Sequence, residues 1–296
     1  MRQLDKMDYN KTAQPPVDTR ECGKQVAENS FKLPERKENS HKGTFGKVLN
    51  ISGSRYMPGA AFISSMAAFR SGCGYVFLAT DESVINCGSW QTSPIVFVPR
   101  KKIKEQLESS QALLIGCGLG AETSSEVLFE NVFKLGINIP TVIDADGLNL
   151  LSKLQNVSLP QKLVLTPHPL EASRLLGGVE VEKILADTEF WAKEISKKYN
   201  CVTALKTHRT VVTSLNGEVY HNSTGNSALA KAGSGDVLAG IIVSFLAQGM
   251  DVFEATCLAV YIHGLAGDIV RNELTAYCST PADVINALPK AFNTLL

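Results

Sequence analysis

The chain has 296 residues, 44% apolar and 20% charged, with 29 Lys plus Arg against 29 Asp plus Glu. That composition excludes a disordered, collagen-like or coiled-coil chain, and zero formal net charge gives no electrostatic reason to expect nucleic acid or an anionic membrane surface as a partner. The seven cysteines, at 22, 73, 87, 117, 201, 257 and 278, are never spaced C-x-x-C, so neither a disulfide framework nor a zinc site is expected, and a reduced, cytoplasmic setting fits.

Taken in chain order, residues 1–40 are polar, carry Pro15-Pro16 and Pro34, and contain no apolar leader. They are expected to form an N-terminal arm, partly disordered or wrapped on the surface. Residues 41–296 show no linker and no internal repeat, which predicts one domain. Strands are expected at 48–52, 75–80, 95–99, 112–116, 141–145, 163–166 and 201–206. Helices are expected at 59–70, 124–133, 182–198, 236–248 and 252–271. Several of these strands are apolar throughout, as happens when helices cover both faces of a parallel sheet. A layered α/β/α fold with a mostly parallel central sheet follows. Asn216-Gly217, between strand-like runs at 210–215 and 218–222, predicts a type I′ hairpin forming an antiparallel edge. The longest apolar run, 237–247, is short of the ~20 residues a membrane span needs.

Chemistry concentrates in a few segments. Gly233-Ser234-Gly235-Asp236 opens an apolar helix. Its glycines admit close backbone approach, and a helix N-terminus offers free amides to an anion. The bland reading makes Asp236 an ordinary N-cap. An acid beside a phosphate site is useful when it takes a proton from an attacking hydroxyl, which points to phosphoryl transfer. Gly116-Cys117-Gly118-Leu119-Gly120 departs from the dinucleotide fingerprint G-x-G-x-x-G and reads as a close backbone contact at a strand end. Asp144 and Asp146, and Thr166-Pro167-His168-Pro169 with Glu171, fall at the carboxyl ends of expected strands, where open parallel sheets bind ligands. Asp144 and Glu171 suit Mg²⁺, directly or through water. Lys206-Thr207-His208-Arg209-Thr210 ends another strand and reads as a nucleotide contact. Lys231 reads equally as a cation near phosphates and as a solvated lysine.

Together with His41-Lys42-Gly43-Thr44-Phe45-Gly46, Pro58-Gly59-Ala60 and Thr224-Gly225-Asn226, these motifs resemble the ADP- or ATP-dependent NAD(P)H-hydrate dehydratases, from about residue 34 onward. The resemblance implies a ribokinase-like fold and nucleotide-dependent dehydration of NADHX and NADPHX to NADH and NADPH, by phosphorylation of the C6 hydroxyl and elimination of phosphate. It implies Asp236 as base and Gly233, Ser234 and Gly235 as the phosphate hole. Lys206, Thr207, His208, Arg209, Thr210 and Gly235 would bind ADP or ATP. Ala60, Gly118, Gly120, His168 and Asp236 would bind the hydrated dinucleotide, and Mg²⁺ would offset charge. This chain differs at Lys206-Thr207, where the family often has Lys-Gly, and at 227–231. A separate epimerase is expected to supply the substrate epimer, and a homo-oligomer is expected. The alternatives are a ribokinase-like small-molecule alcohol kinase and a non-catalytic nucleotide sensor.

Overall fold

The computed structural model describes residues 27–86, 94–154 and 157–296. Most of the N-terminal arm and two cysteine positions, 22 and 87, therefore lie outside the described residues. Among the described residues nine strands form one sheet: β1 Lys47–Ile51, β2 Tyr75–Ala79, β3 Val96–Phe97, β4 Ala112–Ile115, β5 Thr141–Ile143, β6 Leu163–Leu165, β7 Val202–Leu205, β8 Val211–Thr213 and β9 Val219–His221. Their order is β3-β2-β1-β4-β5-β6-β7-β8-β9. The first seven are parallel, and β7-β8-β9 pair antiparallel.

The helices are α1 Pro58–Arg70, α2 Glu82–Ile85, α3 Ile103–Ser109, α4 Thr123–Lys134, α5 Asp146–Lys153, α6 Pro169–Leu175, α7 Val181–Ala186, α8 Thr188–Tyr199, α9 Ser234–Ala247, α10 Val252–Cys278 and α11 Pro281–Asn293. Alternation along the strands splits the apolar core in two. Val48, Val76, Ala112, Leu114, Val142 and Val164 face a layer of α1, α9, α10 and α11. Leu49, Ile51, Leu113, Ile115, Ile143 and Leu165 face α3 to α8. Both faces are covered, so β4 and β6 are apolar at every position and the polar residues Asn50, Thr141 and Thr203 of their neighbours are fully buried, as the layered reading requires.

Three expectations change. The 182–198 helix is two helices: Asp187, extended at φ −146°, accepts from the Phe190 amide at 3.0 Å and caps α8 after α7 has ended. A single acid that can satisfy an orphan amide outweighs continued helical periodicity. The hairpin is not type I′, which needs two positive φ angles. Gly217 alone has one, at 82°, and the Gly217 amide donates to Ser214 O while the Ser214 amide donates to Glu218 O, a three-residue loop ending on a left-handed glycine. Finally, α10 runs to Cys278 through non-helical Thr275. It is long and apolar enough to cross a membrane by length and composition, but 67% of its most apolar window is buried inside the molecule.

Strand order reverses between β1 and β4, opening a crevice at their carboxyl ends. Gly53 N–H donates to Cys117 O there, tying the loop after β1 to the loop after β4. At Gly116, φ 125°, a Cβ would lie 2.1 Å from Asp144 O, and at Gly118 it would lie 2.6 Å from Ala60 Cβ. These glycines let three strand-end loops close on one another, and the loops shape the crevice.

Candidate active site

The floor of the crevice is made by the ends of β5, β6 and β7. Asp144 follows β5 with its side chain 1% exposed, and the Lys206 ammonium from the end of β7 lies 2.6 Å from Asp144 Oδ1 and 3.9 Å from Glu171 Oε2. Glu171 sits in the first turn of α6 and closes a capping box. Its Oε2 accepts from the His168 amide at 2.8 Å, and His168 Nδ1 accepts from the Leu170 amide at 3.2 Å. With Nδ1 an acceptor, the neutral ring carries its proton on Nε2, which lies 3.3 Å from Glu171 Oε1. Burial, then the Lys206 charge, holds the His168 pKa below its ordinary value. Burial pulls Lys206 down, but Asp144 and Glu171 outweigh it and keep the ammonium charged. Burial drives Glu171 upward against the pull of Lys206.

Asp144 and Asp146 are sent in different directions by the residue between them. Ala145 has φ 52° and ψ −121°, a conformation that side-chain-bearing residues avoid at a cost of about 1–3 kcal/mol. Asp144 points to Lys206, whereas Asp146 Oδ2 accepts from the Gly120 amide at 2.8 Å.

The roof is the mouth of α9. Gly233, φ 92°, occupies the N-cap and no side chain among the described residues caps the helix; the Ser234 amide donates to Lys231 O at 3.1 Å, and the Gly235 and Asp236 amides are left for a ligand. Asp236 is in the first turn rather than at the cap, which removes the bland reading of that acid. Its carboxylate, the Asp144 carboxylate and the Cys117 thiol offer atoms all within 4.8 Å of one another, with Cys117 Sγ 3.9 Å from Asp144 Oδ2. Among the described residues Asp236 has no ion pair. Burial first, then the Asp144 charge, pushes its pKa up to about 7, against a hydrogen bond from Cys117. Burial, then the Asp236 charge, holds the Cys117 thiol well above its ordinary value, so it remains a donor.

Two hollows meet at this point. One, of about 720 Å³, is lined by Lys206, Thr207, His208, Arg209 and Thr210, by 224–227, and by Lys231, Ser234, Gly235 and His263. The other, of about 540 Å³, is lined by Met57 to Ala60, Gly118, Asp144, Asp146, Glu171, Gly233 and Asp236. His168, Lys206 and Gly235 line both. The structure thus brings the expected nucleotide residues into one hollow and Ala60, Gly118, His168 and Asp236 into the other. Gly120 lines neither hollow; its amide is held by Asp146. Lys231 lines the first, yet its ammonium donates to Tyr277 O at 2.6 Å, tied to the end of α10.

Residues that the sequence reading passed over complete the frame. Asp268 of α10 accepts from the Gly225 amide at 3.0 Å and from Asn226 Nδ2 at 2.7 Å, fixing the Thr224-Gly225-Asn226 wall. His263, one turn earlier, meets Ser234. The available signal was a histidine and an acid inside an otherwise apolar helical run, where polar groups stay only with partners.

The oxygen donors Asp144 and Glu171 suit Mg²⁺, but Lys206 already stands between them. A second cation bound directly to both carboxylates would lie against that ammonium and be repelled. The donor set therefore fits a Mg²⁺ that keeps its waters between itself and these carboxylates.

The sheet order, the hollows at the carboxyl ends and the uncapped glycine-rich helix define the ribokinase-like class. A ribokinase-like superfamily protein from Enterococcus faecalis superposes with TM-score 0.80 at 30% identity, over 89% of this chain and 92% of that one. A family model described as NAD(P)H-hydrate dehydratase matches residues 48–290, and the chain belongs to that family. An ADP-dependent (S)-NAD(P)H-hydrate dehydratase from Neisseria meningitidis is 36% identical over 260 residues, covering 85% of this chain and 88% of that protein. The Bacillus subtilis ADP/ATP-dependent NAD(P)H-hydrate dehydratase, co-crystallised with ATP/Mg²⁺, superposes with TM-score 0.79 at 31% identity over 89% and 95% of the two chains. The chain spans about half the length of the bifunctional NAD(P)H-hydrate repair enzymes that it also matches.

Proposed function

We infer that this chain repairs hydrated NADH and NADPH by nucleotide-dependent dehydration. The observation that carries the reading is Asp236: an acid without an ion pair among the described residues, under an uncapped helix mouth, where two hollows share Lys206, His168 and Gly235. Hydroxide is a poor leaving group, and phosphorylation makes it a good one. Asp236 takes the proton from the C6 hydroxyl as that oxygen attacks the terminal phosphorus of ADP or ATP. The bond from phosphorus to the departing nucleotide oxygen breaks, and the Gly233 and Gly235 amides and the Ser234 hydroxyl hold the transferring group. The ring-nitrogen lone pair then expels phosphate from C6, leaving an iminium, and loss of a proton from C5 to solvent restores the dihydropyridine. Lys206 balances the buried Asp144 and Glu171 and offers its ammonium to both hollows. Mg²⁺, held by Asp144 and Glu171 through water, supplies charge neutralisation of the phosphates when bound. Residues 206–210 and Gly235 bind the nucleotide, and Ala60, Gly118, His168 and Asp236 bind the hydrate.

Residues 41–296 act as one domain in this reading, working as a homo-oligomer with a separate epimerase supplying the (S) epimer. The test is absorbance at 340 nm with NADH hydrate, Mg²⁺ and either ADP or ATP. A nucleotide-dependent rise is expected and names the donor. No rise, with a stable phosphorylated alcohol as product of another substrate, would replace the reading by that of a small-molecule kinase.

A further inference from the structure

His263 stands outside every motif described above, yet it is 8% exposed, lines the larger hollow, and places Nε2 3.2 Å from Ser234 Oγ. Ser234 is the first residue of α9, between the two glycines at the helix mouth. We propose that His263 is a positioning residue for phosphoryl transfer, donating its Nε2 proton to Ser234 Oγ so that the serine hydroxyl points its own proton at the transferring group.

A hydroxyl has one proton and two lone pairs, and a neutral imidazole has one N–H and one bare nitrogen. If His263 accepted from Ser234, the serine would turn lone pairs toward a phosphate oxygen and repel it. If His263 donates, the serine proton is free for the anion, and each hydrogen bond in the chain strengthens the next. Burial holds the ring neutral, its pKa pushed down to about 4, so it contributes a dipole without a charge that would trap the anion.

The placement rests on how α10 is fixed. Two residues before His263, Tyr261 O accepts from Thr224 Oγ1 at 2.9 Å, and five residues after it Asp268 holds Gly225 and Asn226. At Gly264 a Cβ would lie 2.0 Å from Thr224 Oγ1, so the helix backbone lies directly against the nucleotide wall. The imidazole is thereby aimed at the helix mouth by the loop whose other face borders the nucleotide.

The inference rests on the reading of 233–235 as the phosphate hole, and a double-mutant cycle separates the two. Ser234→Ala is expected to lower kcat about 10–100-fold. His263→Leu is expected to lower kcat by a similar factor, with KM for the hydrate little changed and with the pH dependence near 7 retained. His263→Gln, whose Nε2 amide can donate to the same oxygen, restores most of the loss. In the Ser234→Ala background, His263→Leu should cost no more than about twofold, because its route of action is already gone. The same full loss in both backgrounds overturns the proposal and leaves the phosphate-hole reading standing. Unchanged turnover in Ser234→Ala overturns the proposal, whose route runs through the hydroxyl, and leaves the backbone amides of the phosphate hole standing. Should His263→Leu fail to fold, ¹⁵N NMR of histidine-labelled wild-type protein with ADP and Mg²⁺ decides. An Nε2–H tautomer for His263 is expected, and an Nδ1–H tautomer sinks the idea.

Discussion

Asp144 and Asp236 share one small basin but live under different rules. Asp144, at a strand end, has Lys206 at 2.6 Å and is bound into a network with Glu171 and His168. Asp236, at a helix mouth, has a thiol for a hydrogen-bond partner and another acid for a neighbour. The carboxylate paired with an ammonium holds that cation in place. One desolvated beside a like charge accepts a proton near neutrality, which suits a base. Both acids are desolvated, and what separates them is the group beside each, an ammonium for Asp144 and a second carboxylate for Asp236.

The largest test of that contrast is Asp236→Asn. Turnover should fall about 10²–10⁴-fold with nucleotide binding retained, measured by 340 nm assay and by titration with ADP. Equal damage from Asp236→Asn to binding and turnover would erase the distinction between base and binder. The raised pKa carries a sign that can be checked separately. Asp236 is pushed from 3.8 up to about 7, so the folded state binds more protons than the unfolded chain between these values. The stabilising effect of its proton is complete below the unfolded value and is lost as pH rises through the folded one. Asp236→Asn should therefore melt higher than wild type at pH 8 and much less so at pH 4. In wild type, kcat/KM should rise through pH about 7 as the base deprotonates.

Lys206→Met attacks the other side. It leaves Asp144 and Glu171 buried without their cation, a change of about 3–5 kcal/mol for a fully buried pair and less here, since Lys206 is 19% exposed. A fall in melting temperature together with a loss of nucleotide affinity is expected, whereas Asp236→Asn spares both. Asp268→Ala frees the Gly225 amide and Asn226. It should raise KM for the nucleotide about tenfold while leaving KM for the hydrate nearly unchanged. The smallest effect belongs to a site outside the basin: Asp187→Ala removes the α8 cap and should cost about 1 kcal/mol by urea unfolding with turnover intact.

How much of this was legible in the sequence depended on range. Unbroken apolar strands announced the parallel layers, because burial on both faces constrains every residue of a strand. Asn216-Gly217 announced a turn but not its type, which depends on how Ser214 and Glu218 pair across it. Gly233 and Gly235 were visible because helix mouths are local, and Gly116 and Gly118 because glycine spacing is local. Their partners were not: Gly116 needs Asp144 O beside it, and Gly118 needs Ala60. His263 and Asp268 were hidden because a buried polar residue in an apolar helix looks the same whether its partner is a neighbouring turn or a phosphate hole.

By itself, then, the sequence determined the layered architecture, the family, and the residue types that meet phosphate and proton, since these follow from local periodicity and contiguous motifs. Only the tertiary structure decided which acid keeps a lysine and which does not. Lys206 and Asp144 are 62 residues apart in sequence and become neighbours only when β5, β6 and β7 lie side by side. Coulombic neighbours depend on distance through space, and that distance is set when the sheet forms.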